Sequence, residues 1–235
     1  MAQAIRLARQ GIYSTHPNPN VGCVIVAQGN VVGCGWHRQA GGAHAEIHAL
    51  REAGEKACNA DVYLTLEPCS HHGRTPPCAE ALVDAGVRRV VVAMQDPNPL
   101  VAGQGLGRLR QAGIAVETGL METQARATNL GFVSRMQRGR PWVTIKLASS
   151  LDGRTAMASG ESKWISGDAA RRDVQRLRAR SSAIVTGIGT VIADDPSMNV
   201  RLDALQLNGV EPVRQPLRVV MDTRLRMPVQ AKMLS

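Results

Sequence analysis

Apolar and polar positions alternate along the chain in two patterns, one typical of strands and one typical of helices. Short apolar runs bounded by turn residues predict strands, and these runs cover residues 21–27, 31–35, 61–66, 89–93 and 114–117. Stretches with a helical pattern lie between them and cover residues 2–10, 44–56, 76–85 and 121–137, with one further helix before residue 114. Helices that alternate with strands in this way indicate a layered α/β fold.

The segment Gly139-Arg140-Pro141 breaks this pattern, so we predict two domains, residues 1–139 and 140–235. The second domain is predicted to have strands at 142–147, 183–186 and 217–221, a helix at 166–180 and a polar loop at 203–216. It reaches residue 235 without a closing element, and we therefore expect it to be truncated at its C-terminal end.

The composition is that of a soluble globular protein, with 44% hydrophobic and 20% charged residues. Apolar stretches stay well below the length of about 18 residues that a membrane span needs, so we expect no membrane association. The N-terminal segment is too polar for a signal peptide. The five cysteines are an odd number, which favours the reducing cytoplasm and free thiols or metal ligands over disulfides.

The net charge of +9 fits two kinds of partner, nucleic acid or a small phosphorylated substrate. Aromatic residues make up only 3% of the chain, too few for the stacking platforms of single-strand binders. The basic residues are dispersed except for one cluster, formed by Arg171, Arg172, Arg176, Arg178 and Arg180. Apolar positions interrupt this cluster, which indicates the solvated face of a helix. We therefore expect no nucleic-acid partner.

One constellation of residues is typical of a catalytic zinc site. His44 begins a predicted helix, Cys69 follows a predicted strand, and Cys78 lies at the start of the next helix. One imidazole and two thiolates supply the three protein ligands that a catalytic zinc requires, with the fourth position open to water. Glu46 follows His44 by two residues, close enough to take a proton from that water and pass it to a leaving amine. Zinc nucleobase deaminases use this set of groups.

A structural zinc with four protein ligands is the alternative, and its fourth ligand would come from His71, His72 or Cys58. Such a closed site would leave Glu46 without a role, which favours the catalytic interpretation. The loop between Cys69 and Cys78 is polar and contains Arg74, whose planar guanidinium suits a phosphate group. A loop held at both ends by metal ligands is well placed to bind a substrate.

These motifs carry a close resemblance to one family. His44-Ala45-Glu46, the run from Thr65 to Cys78, Asn18-Pro19-Asn20-Val21-Gly22 and Asp96-Pro97-Asn98-Pro99 resemble the deaminase of bacterial riboflavin biosynthesis. Three later segments resemble the reductase half of the same bifunctional proteins: Ser150-Leu151-Asp152-Gly153-Arg154, Gly160-Glu161-Ser162-Lys163-Trp164-Ile165, and Gly189-Thr190-Val191 with Asp194-Asp195-Pro196. The resemblance covers nearly the whole chain.

The resemblance implies a three-layer α/β/α cytidine-deaminase-like domain followed by part of a dihydrofolate-reductase-like domain. The first would deaminate 2,5-diamino-6-ribosylamino-4(3H)-pyrimidinone 5′-phosphate with the help of Zn²⁺. The second would use NADPH to reduce the ribosyl group of 5-amino-6-(5-phosphoribosylamino)uracil. The implied partner is a small phosphorylated pyrimidine, in a cytoplasmic homo-oligomer.

The resemblance also assigns residues to roles. His44, Cys69 and Cys78 would bind zinc, and Glu46 would be the catalytic proton carrier. Contacts to the deaminase substrate would come from Asn18, His71, Arg74, Asp96 and Asn98. The NADP site would be lined by Ala148, Trp164, Thr190 and Asp194, and the reductase substrate by Lys146, Ser162, Arg178, Met198 and Arg201.

Two other functions fit parts of the pattern. A deaminase of tRNA or of a free nucleoside would share the zinc site but usually has a shorter spacing between its cysteines. A basic structural-zinc module would bind nucleic acid with a steep salt dependence and would not need Glu46. Within the favoured family, the reductase half is longer than the segment present here and includes a later glycine-rich nucleotide-binding segment. We therefore expect this chain to deaminate but not to reduce.

Overall fold

A computed structural model describes residues 1–70 and 77–235 of the chain. These residues form two compact units, Met1–Trp142 and Val143–Ser235, and each unit is considered on its own below. None of the described helices is both long enough and apolar enough to cross a membrane.

The first unit is built on a mixed five-stranded sheet. Its strands are β1 (Gly22–Ala27), β2 (Asn30–Trp36), β3 (Asp61–Leu64), β4 (Arg89–Val92) and β5 (Ala115–Thr118). Their order across the sheet is β2-β1-β3-β4-β5. β1 pairs antiparallel with both β2 and β3, whereas β3, β4 and β5 run parallel to one another. β1 and β2 form a hairpin, in which Ala27 pairs with Asn30 across a two-residue turn.

In the part of this unit that the structure describes, six α-helices flank the sheet: α1 (Ala2–Ala8), α2 (Ala45–Ala53), α3 (Cys78–Asp84), α4 (Gln104–Gln111), α5 (Glu122–Ala127) and α6 (Leu130–Arg138). Side chains of α2, α3 and α4 pack with Cys23, Ile25, Val62 and Leu64 in the main core cluster. On the opposite face Ile5 of α1 joins a second cluster with residues of α5 and α6. The expected three-layer α/β/α arrangement is therefore confirmed.

Two glycines of β2 bring α2 directly against the sheet. A Cβ atom added to Gly35 would lie 2.1 Å from the Ala45 carbonyl oxygen, and one added to Gly33 would lie 2.2 Å from the Ala49 carbonyl oxygen. No side chain at these positions fits between the strand and the helix backbone. This close approach sets the position of the first turn of α2, which carries Glu46 and follows His44.

The second unit contains α7 (Asp168–Arg180), β6 (Ala183–Gly187), α8 (Ile188–Asp194) and β7 (Leu217–Met221). β6 and β7 pair in parallel, with Ala183 opposite Leu217. A small core cluster of Ile188, Val191, Ala231 and Met233 lies in this unit. The predicted helix 166–180 and the strands 183–186 and 217–221 are confirmed to within two residues at each end.

The strand predicted at residues 142–147 is wrong. Val143, Ile145 and Leu147 are 73%, 81% and 80% exposed, and the segment forms no strand. A strand requires a neighbour that accepts and donates backbone hydrogen bonds. Among the described residues of this unit, the sheet consists of β6 and β7 alone, so the apolar pattern lacks a partner strand.

The single helix predicted at 121–137 is also wrong, because α5 and α6 are separate helices. Asn129 lies between them, and its side-chain amide makes two hydrogen bonds to the backbone of Asn20. Asn129 Oδ1 accepts the Asn20 N–H at 2.7 Å, and Asn129 Nδ2 donates to the Asn20 carbonyl oxygen at 2.8 Å. An asparagine that hydrogen-bonds to backbone in this way competes with helix continuation. The predicted loop 203–216 contains one short 3₁₀ turn, Leu205–Leu207.

The contact between β2 and α2 generates a prediction about stability. Replacing Gly35 with Ala forces the strand and the helix apart, and we expect a loss of about 1–3 kcal/mol of unfolding free energy, as for other overpacked cores. Chemical denaturation of the purified variant measures this loss. Gly107 of α4 is the matched control, because a Cβ atom there meets nothing within 4 Å. Gly107→Ala should stabilise the protein by up to about 1 kcal/mol, and equal effects of the two substitutions would contradict the packing argument.

Candidate metal centre and substrate loops

Three potential metal ligands come together from distant parts of the chain. His44 is the N-cap residue of α2, Cys69 lies in the loop after β3, and Cys78 is the first residue of α3. Their ligand atoms all lie within 4.8 Å of one another. His44 Nδ1 is 3.2 Å from Cys78 Sγ and 3.5 Å from Cys69 Sγ. Ligands of a tetrahedral zinc are about 3.5 Å apart when the bonds are 2.0–2.3 Å long, so the set fits this ion.

The two thiols interact strongly enough to differ in charge. Hydrogen bonds from the Cys78 side chain, from His44 and from the Cys78 backbone lower the pKa of Cys69 to about 4, although burial opposes them. The pKa of Cys78 is raised, because its thiol is the donor to Cys69 and because it is buried. The hydrogen bond to Cys69 raises the pKa of His44. Hydrogen bonds therefore link the three side chains, and a divalent cation bound among them would stabilise both thiols as thiolates.

Glu46 lies beside these three residues without belonging to the ligand group. Its residue exposure is 3%, and burial raises the pKa of its carboxyl group to about 7. The carboxylate oxygen Oε2 is buried and has no hydrogen-bond partner among the residues that the structure describes. A buried carboxylate oxygen without a partner is costly, and a carboxyl group with such an oxygen is suited to exchanging a proton with a polar molecule placed next to it.

His37 was not identified from the sequence, yet it lies next to the candidate centre. The ring packs edge-on against the His44 ring, with centroids 5.4 Å apart. Its Nδ1 lies 3.1 Å from the Ala43 carbonyl oxygen, to which it can only donate, so Nε2 accepts from the Asn18 side-chain amide at 3.0 Å. Burial lowers the pKa of His37 and favours this neutral form. His37 therefore fixes the orientation of Asn18, one of the predicted substrate contacts.

Two other predicted substrate contacts, Asp96 and Asn98, lie on the loop between β4 and α4. Asp96 Oδ1 accepts the Asn98 backbone N–H at 2.8 Å, and Asn98 Oδ1 accepts the Leu100 backbone N–H at 3.1 Å. These local bonds give the loop a defined turn conformation. His71 and Arg74, together with the alternative ligand His72, lie outside the described residues. Cys58, the other alternative fourth ligand, is exposed and is not in the described ligand group.

The predicted reductase residues lie in the second unit. Arg178 donates to the Asn199 carbonyl oxygen at 3.0 Å, and Arg201 donates to Asn199 Oδ1 at 3.2 Å. Burial and the nearby Arg201 lower the pKa of Arg178. The structure therefore brings these two predicted substrate contacts together. The remaining predicted contacts lie elsewhere in the unit: Ser162, Met198 and Ala148 are half-buried, and Lys146, Trp164, Thr190 and Asp194 are exposed.

Comparison with known proteins matches both units. Residues 1–94 match the cytidine and deoxycytidylate deaminase zinc-binding region, and residues 141–235 match the RibD C-terminal domain. The riboflavin biosynthesis protein RibD of Escherichia coli is 60% identical over 231 residues, which are 96% of this chain and 63% of that protein.

Solved structures give the same result. Acinetobacter baumannii RibD has a TM-score of 0.92 at 58% identity, covering 99% of this chain and 65% of that one. A Thermotoga maritima diaminohydroxyphosphoribosylaminopyrimidine deaminase/5-amino-6-(5-phosphoribosylamino)uracil reductase has a TM-score of 0.86 at 39% identity, covering 95% of this chain and 62% of that one. The present chain thus spans somewhat less than two thirds of the length of these relatives. The resemblance expected from the motifs is confirmed: over nearly its whole length the chain is similar to riboflavin biosynthesis proteins named RibD, and its two units match a deaminase zinc-binding region and the RibD C-terminal domain.

Proposed function

We propose that the deaminase half, residues 1–139, removes an amino group by hydrolysis from 2,5-diamino-6-ribosylamino-4(3H)-pyrimidinone 5′-phosphate, in the cytoplasm. The proposal rests chiefly on the arrangement of His44, Cys69 and Cys78 within 4.8 Å of one another, next to the buried Glu46. The names of the relatives support riboflavin biosynthesis as the setting. The five free thiols are in keeping with a reducing compartment.

In this proposal His44, Cys69 and Cys78 hold zinc, which supplies the Lewis acidity that makes a water molecule nucleophilic near neutral pH. Glu46 would accept a proton of the attacking water at its carboxylate and transfer it to the amine as the amine leaves. Its raised pKa, about 7, suits both acceptance and donation. The low exposure of the carboxyl group keeps bulk water from competing for the proton.

Substrate contacts in the proposal come from three separate segments of the chain. Asn18, held by His37, and the loop residues Asp96 and Asn98 would hydrogen-bond to the pyrimidine. His71 would add a further contact, and Arg74 would pair with the phosphate, as charged hydrogen bonds from arginine commonly do. These assignments predict that recognition of the base and of the phosphate depends on different segments.

Metal binding is the first property to test. Cys69→Ser and Cys78→Ser each remove one thiolate, and we expect zinc content to fall from one ion per chain to near zero, because three ligands hold a catalytic zinc. Elemental analysis after dialysis measures the content. Cys58→Ser is the matched control, since this thiol is exposed and lies apart from the ligand group. A full complement of zinc in the Cys69 variant would exclude the proposed ligand set.

The proton transfer by Glu46 is tested with Glu46→Gln, which preserves size and removes the base. Zinc should stay bound while ammonia release falls by at least about 100-fold, the usual contribution of general acid–base catalysis. Glu55→Gln, an exposed substitution just after α2, should release ammonia at the wild-type rate. Wild-type turnover by the Glu46 variant would refute the assignment.

We further propose that residues 140–235 belong to the reductase half, which takes NADPH and the deaminated product. Arg178 and Arg201 lie close enough for the two cations to face one anionic group of the substrate. Ser162, Lys146 and Met198 would complete the substrate contacts. The NADP contacts would come from Ala148, Trp164, Thr190 and Asp194. As a complete enzyme the protein would act as a homo-oligomer.

The described part of this half has a sheet of only two strands, and sheets of that size are marginally stable. We therefore expect the chain to release ammonia from the aminopyrimidine substrate without oxidising NADPH. Ammonia and NADPH absorbance, followed separately in one reaction, measure the two activities. A complete member of the family is the positive control for the reductase assay. NADPH oxidation in proportion to ammonia would show that residues 140–235 suffice for reduction.

A further inference from the structure

Glu67 is a buried carboxylate with an unusual set of partners. It is 6% exposed, and it lies two residues before Cys69. Its Oε2 accepts the backbone N–H groups of Asp96 and Gly103, both at 3.0 Å. Its Oε1 accepts the backbone N–H groups of Gly105 at 2.9 Å and Leu106 at 3.2 Å. One side chain thus satisfies four backbone donors.

The division of these bonds between the two oxygens has a geometric meaning. Oε2 binds both ends of the loop 96–103, so a single atom closes that loop. Oε1 binds the first turn of α4, where unpaired N–H groups and the helix dipole favour a negative charge. The loop and the helix that follows it are therefore held by the same carboxylate.

Backbone contacts connect the same two segments. The Glu67 backbone N–H donates to the Met94 carbonyl oxygen at 3.0 Å. α4 also packs directly on the residue before Cys69, since a Cβ atom on Gly105 would lie 2.0 Å from the Pro68 carbonyl oxygen. The segment that carries Cys69 therefore forms one side of a clamp, and the loop with Asp96 and Asn98 forms the other.

We propose that Glu67 is a positioning residue for the deaminase, which holds the substrate loop 96–103 at a fixed place relative to the metal ligand Cys69. This inference rests on the proposed function. Glu67 does not touch the reacting atoms in the proposal; it acts through Asp96 and Asn98. A purely structural cap on α4 would need only Oε1, whereas the bonds of Oε2 to both loop ends bear on the substrate contacts.

The experiment compares zinc-loaded wild-type chain with Glu67→Gln in the ammonia-release assay. The amide nitrogen of glutamine cannot accept N–H groups, so one pair of donors loses its partner. We expect KM for the aminopyrimidine phosphate to rise about 10-fold while kcat stays within about 3-fold, as for a loss of binding shared by ground state and transition state. Zinc content should not change. An unchanged KM would overturn the inference.

Glu52→Gln is the matched control, because Glu52 is an exposed residue of α2 that also accepts a backbone N–H, that of Cys34 at 3.0 Å. It should leave KM unchanged. Asn98→Ala tests the route of the effect: it should raise KM in the wild-type background and add little in the Glu67→Gln background, since coupled residues are non-additive. If KM of the double variant instead rises by the product of the two single-variant changes, Glu67 does not act through Asn98.

Further measurements distinguish a failure of this inference from a failure of the variant to fold and from a failure of the proposed function. Amide hydrogen exchange should be faster in Glu67→Gln within residues 96–106 and unchanged in the strands of the sheet; unchanged exchange in the loop would overturn the clamp. If Glu67→Gln fails to fold, Glu67→Asp keeps the charge on a shorter side chain and should show the same rise in KM. Absence of ammonia release from the wild-type chain would contradict the proposed function, and with it the positioning of a substrate.

Discussion

The mutual proximity of two thiols and one imidazole is the constraint on which the site depends. His44, Cys69 and Cys78 come from the start of one helix, the loop after β3 and the start of another helix, yet their ligand atoms lie within 4.8 Å. Each of these segments must be held by its own packing, because the two thiolates repel each other once both thiols are ionised. The glycines of β2 hold the first segment, and the sheet and its core hold the others.

Around this centre the polar groups are supported by backbone. One ring nitrogen of His37 donates to the Ala43 carbonyl oxygen, and the other accepts from the Asn18 side-chain amide. Glu67 collects four backbone N–H groups. Groups that face a reacting molecule are thus oriented by groups that do not, which is how a site keeps its geometry before the substrate arrives.

The grouping of His44, Cys69 and Cys78 could be predicted from the sequence, because two of the three residues begin helices and helix starts leave local signals. The roles of His37 and Glu67 could not be predicted from the sequence, because both side chains bond to backbone groups, which residues of any type can supply. The Asp96 N–H that Glu67 accepts lies 29 positions further along the chain. The alternation at 142–147 is typical of a strand, but it carries no information about a neighbouring strand, and the segment forms none. Asn129 looks like an ordinary helical residue until Asn20 is found beside it.

The direct contact of α2 with the backbone of β2 also bears on how such an enzyme can diverge. Gly33 and Gly35 leave no side chain at that interface to be enlarged, trimmed or reshaped, so mutation has almost no means of shifting the helix by small steps. Variation in substrate choice is then left to the connections that follow β3 and β4, which can change length and sequence while the helix stays in place. In the proposed deaminase, Glu46 and the metal ligand His44 would then keep their places while the loops around them change.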